Sequence, residues 1–401
     1  MRHVVMAGAG IAGLTAALSL ARHGTRISVF DRAPVLHEAG AGLQLPPNAT
    51  RVMAELGLLE RLRETAVRPD RLQIRRGRDG ATIVDLPFGA AAEARYGAPL
   101  LVIHRADLQA ALLEAVRAHP SITLETGQSV TSFAVDGATV VAKLSSKEQN
   151  RSITSDGLIG ADGLRSSIRS RLAADRGDDR TYSGRIAWRT LVPAAEAPVF
   201  ARASATNLWL GSDAHLVHYP VRGGTLINVV AIVADRWEGS EAAPNLWTVR
   251  GDPARLKKPF AAWSREARDL IDAAPDWRIW PLFDRPPLQR WSTGPITLVG
   301  DAAHPALPFL AQGAAGAIED GWALGLAAAR HPSDTSATFT AYERLRHAKA
   351  DRVQRESRRQ GAVYHFGAVA AMARDLAMRS MGQRRMLNRY DWLYGKPAAG
   401  A

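Results

Sequence analysis

Cysteine is absent from the 401 residues, so disulfides, thiolate metal ligands, a catalytic thiol and cysteinyl attachment of a cofactor are all excluded. That absence suits a reducing compartment, and a cytoplasmic location is the expectation. Also missing is any run of ~18 uncharged apolar residues, so neither a transmembrane helix nor stable membrane insertion is expected. The N-terminus lacks the charged, apolar and small-residue order of a secretory signal. Acid is in short supply: Asp and Glu number 39 against 51 Lys and Arg, a net charge of +12. A nucleic-acid partner does not follow, because the densest basic stretch, Arg344 to Arg359, alternates with Glu343, Asp351 and Glu356 and reads as a solvated helix face. A positive field that draws in anionic cofactors and substrates accounts for the same charge. The 46% hydrophobic content and 34 glycines without a fixed period exclude disordered and collagen-like chains. The length allows two or three domains at ~100–200 residues each.

What is present starts at once. His3 to Ala7 reads as a strand, followed by Gly8-Ala9-Gly10-Ile11-Ala12-Gly13, a helix from Leu14 to Arg22, and a second strand, Ile27 to Phe30, ending at Asp31. Gly8 permits the tight turn, Gly10 lets a pyrophosphate approach the backbone, and Gly13 lets the helix pack closely on the sheet. The helix start supplies unpaired N–H groups and a positive dipole end to the phosphates. Asp31 is placed to accept hydrogen bonds from an adenosine ribose, and Ala12 and Arg32 are taken with it as cofactor contacts. Strand, glycines, helix, second strand and acid in that order predict a dinucleotide site, without separating NAD from FAD.

Two later segments narrow that choice. Asp156 to Gly160 reads as a short apolar strand running into the Asp162-Gly163 turn. A second strand, Pro295 to Val299, ends in Gly300-Asp301, and a helix opens after Pro308-Phe309 at Gln312, Gly313, Ala314 and Ala315. Asp301, at a strand's carboxyl end, can hold a ribityl or ribose hydroxyl. A positive helix end at Gln312 to Ala315 would stabilise the anion formed when a flavin is reduced.

With the glycine fingerprint, the Asp162-Gly163 motif and the Gly300-Asp301 motif in order, the chain resembles the class A flavoprotein aromatic hydroxylases of the para-hydroxybenzoate hydroxylase fold, in the salicylate and 3-hydroxybenzoate hydroxylase branch. Gly40 to Asn48, His104 to Leu108, Gly184 to Arg189 and Tyr390 to Tyr394 match as well, so the resemblance covers nearly the whole chain. It implies non-covalent FAD, NADH or NADPH as co-substrate, and O2 that adds to reduced flavin at C4a to give a hydroperoxide. That species hydroxylates a small aromatic such as salicylate or 3-hydroxybenzoate. It also implies that Arg105 lies along the FAD and that Asp162 links the cofactor region to NAD(P)H use. His304 is typical of the family and reads as loop structure. No second dinucleotide fingerprint decides between NADH and NADPH.

The implied fold is α/β: a Rossmann-type FAD-binding domain with an inserted antiparallel-sheet substrate domain and C-terminal helices. The cofactor motifs lie far apart, so the FAD domain is discontinuous, at 1–70, 98–180 and 280–335. Two-residue alternation assigns 71–97 and 181–279 to the substrate domain, with strands at Arg185–Val192, Thr206–Leu210, His215–Val221 and Thr225–Ala234. Residues 336–401 form a helical region in which Val363 to Met381 is expected as an interdomain or dimer-facing helix.

His215 and Tyr219 are four apart on a strand, and even spacing puts both on one face. The resemblance places them in the substrate pocket, His215 as a hydrogen-bonding or base-like partner of the phenol and Tyr219 as an orienting hydroxyl. Gln44, Pro308 and Phe309 are expected beside them; His218 alternates to the other face. Hydroxynicotinate hydroxylases carry a His where Phe309 stands, which favours a benzene over a pyridine substrate. No metal site is expected. A bulkier substrate, or a flavin-binding protein without catalysis, remain the rival readings.

Overall fold

The computed structural model describes residues 2–36, 41–147, 149–173, 179–238, 249–274 and 276–395. Gly40, the first residue of one matching stretch, lies outside them, as do 396–401. One sheet has six strands in the order Ser292–Thr293, Ile296–Leu298, Gly157–Gly160, His3–Ala7, Arg26–Asp31 and Ile122–Thr126. All its ladders are parallel except the one at the 292–293 edge. Both faces are covered, so its central strands are nearly continuous apolar runs: Val4, Val5, Met6 and Ala7 are all buried. The carboxyl ends of these strands release the chain at Gly8, Asp31, Ala161 and Val299, which gathers the three motifs on one edge.

Helices Ile11–Ala21 and Gly313–Arg330 cross on this sheet with their backbones almost touching. A Cβ on Gly321 would lie 2.7 Å from Ala16 N, and one on Gly325 2.8 Å from Ser19 O. These two glycines, one helical turn apart, permit the approach that brings both helix starts to the same edge.

The second sheet has seven strands, ordered Arg278–Asp284, Thr181–Pro193, Leu226–Ala234, Ala214–Val221, Ala205–Gly211, Arg71–Arg76 and Thr82–Pro87. It is antiparallel except for one ladder: Ala205–Gly211 runs parallel to Arg71–Arg76. Those strands come from distant parts of the chain, so no hairpin forces them antiparallel. The expected domain boundary at 279/280 falls inside Arg278–Asp284, which completes the sheet's other edge. On the outer face Trp188, Trp209 and Trp277 build a separate core.

A two-stranded hairpin-like pair, Gly42–Leu45 with Leu101–His104, bridges the two sheets. Gly42 N donates to Asn228 Oδ1 at 2.6 Å, and a Cβ there would meet the Asn228 and Tyr219 side chains below 3 Å. The C-terminal region is helical at Thr335–Tyr364, Ala368–Ser380, Gly382–Asn388 and Asp391–Tyr394. The continuous helix expected over 363–381 is broken at His365 to Gly367. Among the described residues no helix is long and apolar enough to cross a membrane, and no cluster of three metal-ligating side chains occurs.

Candidate active site

Gly8 has φ +115°, and a Cβ on it would lie 2.4 Å from the Ala161 carbonyl; one on Gly13 would lie 2.0 Å from the Gly8 carbonyl. Both therefore serve the close packing of turn, helix and the neighbouring Asp162 strand end. Gly10 differs: a Cβ there would meet nothing within 4 Å. The same holds at Gly313, the first residue of its helix. Neither helix start has a side-chain cap or an acid in its first turn. Two sets of free N–H groups and two positive dipole ends thus open onto space that side chains leave empty, the donor set a dinucleotide requires.

Gly300, φ +59°, is wedged between the helices, where a Cβ would lie 2.9 Å from Ala12 and 3.4 Å from Ala317. That presents the exposed Asp301 carboxylate beside Gln312, Gly313 and Gly316 in a narrow crevice. Arg105 starts its own helix, with its N–H held by the Ala41 carbonyl, and its charge reaches Asp301. Gln312 Oε1 accepts from Asn48 Nδ2 at 3.1 Å, while Gln312 Nε2 and Asp162 Oδ1 are buried without hydrogen-bond partners. These orphaned groups fit a polar cofactor lying against them. Ala314 and Ala315 complete the first turn.

Beneath the crevice lies an ionic knot. Asp320 Oδ2 accepts from Gly300 N at 2.8 Å and from His304 Nε2 at 2.6 Å, and its Oδ1 accepts from Arg346 Nε at 2.8 Å. Burial alone would raise this carboxyl; the His304 and Arg346 partners outweigh it and pull it down to about 2. His304 is thereby a support of the Gly300-Asp301 loop, as expected of it.

The loop Pro308–Ala311, between Ala306 and Gln312 of the crevice, lines a cleft whose empty space, with the open solvent at its mouth, is about 860 Å³. Gln44, Leu72, Leu208, His215, Phe309 and Tyr364 are among its walls. Tyr390 and Tyr394, stacked at 5.4 Å, close one end. His215 Nδ1 lies 2.7 Å from His365 Nε2, and its ring packs 5.7 Å from Phe309 and 5.4 Å from Tyr364. Burial, then His365 and Arg185, hold His215 well below the ordinary imidazole range. The ring is thus held toward its neutral, hydrogen-bonding form.

A family model described as an FAD binding domain matches residues 1–357. The 3-hydroxybenzoate 6-hydroxylase of Polaromonas naphthalenivorans (strain CJ2) is 35% identical over 98% of this chain and 95% of its own length. The 3-amino-4-hydroxybenzoate 2-monooxygenase PtnB3 of Streptomyces platensis is 36% identical over 99% and 96%. Among solved structures, Klebsiella pneumoniae HpxO complexed with FAD and uric acid superposes with a TM-score of 0.84 at 25% identity, covering 98% of this chain and 97% of that one. The chain belongs to the class A FAD-dependent hydroxylases.

In this hydroxylase several of these side chains also have partners within the fold. Asp31 accepts from Ala9 N at Oδ2 and from Ala33 N at Oδ1, both at 2.8 Å, so its carboxylate ties the glycine turn to the strand end. Arg32 beside it is exposed. Asp162 Oδ2 accepts from Ser167 N at 2.7 Å and caps the turn before its helix. Tyr219 shares a sheet face with His215 but does not line the cleft; it packs with Phe88, Leu100 and Val102 and against Gly42. Phe88 and Leu100 of that cluster line the cleft where Tyr219 does not. Burial pushes the Tyr219 hydroxyl up, so it stays protonated near Arg189, which burial and Arg105 lower to about 10. His218 faces the other side, between Phe200 and Trp209, where burial and Arg75 lower it to about 3. His365 and Tyr364 were missed, because a helix end 150 residues away carries no local sign of facing a strand.

Proposed function

We propose that this enzyme uses NADH or NADPH and O2 to hydroxylate a small phenolic ring held in the cleft. FAD, when bound, supplies the redox and oxygen chemistry, and Gly10, Asp301, Arg105 and the 312–315 helix start are the groups that would hold it. The observation that carries the reading is the adjacency of the two along one segment: Ala306, Gln312 and Gly313 line the cofactor crevice, while Pro308–Ala311 between them line the His215 cleft. Phe309, Leu72, Ile74 and Leu208 give the ring an apolar bed and keep water out, while His215 offers the hydrogen bond that distinguishes a phenol from benzene. Both named relatives act on a benzoate bearing a ring hydroxyl, which supports a substrate of that class. Arg71 stands at the cleft as its cation, forked to Asp85 at 2.6 and 2.7 Å, and Gln44 and the tyrosine hydroxyls offer further partners to a carboxylate.

The test is NAD(P)H oxidation by the FAD-loaded protein against a panel of hydroxybenzoates, aminohydroxybenzoates and bulkier phenols, with product measured alongside. Stimulation and stoichiometric product with a hydroxybenzoate are expected. Oxidation without any hydroxylated product across the panel would refute the proposal.

A further inference from the structure

We infer that His365, at the break after the long helix, is a positioning residue that fixes which nitrogen of His215 faces the cleft and makes that nitrogen an acceptor for a substrate hydroxyl. The last clause rests on the reading of the cleft as a phenol site; the first does not.

The Nδ1–Nε2 separation of 2.7 Å leaves room for one proton between the rings, which lie 4.9 Å apart at centroids and 37° from parallel. Either His215 donates from Nδ1 or His365 donates from Nε2. The far side of His365 decides. Its Nδ1 is buried without a hydrogen-bond partner, and the Gly361 carbonyl, one turn back and acting on the ring, is left over by the helix because His365 N donates to Ala362 O instead. A carbonyl only accepts, so the proton belongs on His365 Nδ1. In a neutral ring Nε2 is then a lone pair, and His215 must donate to it from Nδ1. That leaves His215 Nε2 as an acceptor. It forms no hydrogen bond to the described residues, on a side chain that lines the cleft.

Both rings are held neutral. The charges acting on them are the guanidinium groups of Arg185, from the strand Thr181–Pro193, and Arg374, from the helix Ala368–Ser380, the latter paired with Asp375 at 2.8 Å. Arg185 is itself balanced by Asp213. Phe309 and Tyr364 fill the remaining sides. Burial lowers His365 to about 3 and holds His215 well below the ordinary imidazole range, so both rings favour the neutral form.

The geometry depends on where the helix stops. Gly361 lets its last turn lie on Phe309, where a Cβ would come within 2.5 Å of the ring. The helix ends at Tyr364 and the next begins after Gly367, so His365 leaves the helical path and turns to the sheet. An Nε2 acceptor selects a ligand that donates, and a site built around such a bond rejects the analogue lacking the proton.

The experiment uses the full chain loaded with FAD and labelled with 15N-histidine, His215 being assigned through His215→Gln. The parent should show His215 with its proton on Nδ1 and Nε2 bare. In His365→Leu the proton should return to Nε2; in His365→Gln, whose amide oxygen can accept in place of Nε2, the parent tautomer should persist. Binding of 3-hydroxybenzoate relative to 3-methoxybenzoate should fall about tenfold in His365→Leu and recover in His365→Gln. A parent His215 protonated on Nε2, or a tautomer unchanged by His365→Leu, would overturn the inference, and the parent spectrum alone suffices should the leucine variant fail to fold. If the tautomers behave as expected but no phenol binds or is turned over, the functional reading falls and the positioning role stands.

Discussion

The crevice on the six-stranded sheet and the cleft under the seven-stranded sheet are made of different materials. The sheet edge at the crevice offers mostly backbone: two uncapped helix starts, a glycine at each with open space where a Cβ would be, and a strand end presenting Asp301. The cleft is made of side chains drawn from Gln44, 69–74, 206–217, 308–311, Tyr364 and 390–394. The crevice must supply N–H groups to phosphates, which a helix start does wherever glycine clears the approach. The cleft must supply a shape, and only packed side chains from several segments do that.

Valine at position 10 tests the first material most severely. Gly10→Val fills the open space with a branched side chain, and the purified protein should lack FAD while staying folded. Visible absorbance and circular dichroism would show it; normal flavin content would mean the fingerprint is only a turn. In the parent, acid should release all the flavin to the supernatant, since there is no cysteine to hold it.

Asp320→Asn comes next, because it strikes the support of the crevice rather than its surface. Arg346 keeps Glu319 at 3.0 Å, so weakening its bond and that of His304 to position 320 should cost ~2–3 kcal/mol in urea unfolding at pH 7. The folded carboxyl, at about 2, lies below its ordinary 3.8, so its contribution is present above pH ~4 and lost as pH falls through about 2. That linked part is on the order of 2 kcal/mol, and the variant's stability should be flatter over this acid range.

On the cleft side, His215→Ala should retain FAD and its reduction by NAD(P)H, yet lower product per NAD(P)H by ~10²-fold, the lower end for a group assisting at a phenol proton. An unchanged ratio with altered thermal stability would make His215 structural. Asp31→Ala should be the mildest, ~1–2 kcal/mol for the two backbone hydrogen bonds at Ala9 and Ala33. A loss of FAD affinity beyond the loss of stability would restore a direct ribose contact.

Legibility followed the same division. The strand at 3–7, the turn glycines and the helix starts at 11 and 313 could be read because each is a local pattern with a local reason. The strands of the second sheet were readable from alternation, but not the parallel ladder at 71–76, since alternation says nothing of which strand lies beside which. Asp31 and Asp162 were located but not their backbone partners, because an acid at a strand end looks the same whether it meets a ribose or an N–H.

By itself the sequence determined the cofactor edge: residues 8–13, 162–163 and 300–301 carry their function in spacing and glycine content, and few conformations satisfy them. Only the tertiary structure decided the cleft. Alternation put His215 and Tyr219 on one face, but Tyr219 went into the packing of Phe88, Leu100 and Val102, and a helix break brought His365 to His215 instead. Sequence patterns report faces and turns, whereas distances across a cavity arise when distant elements pack.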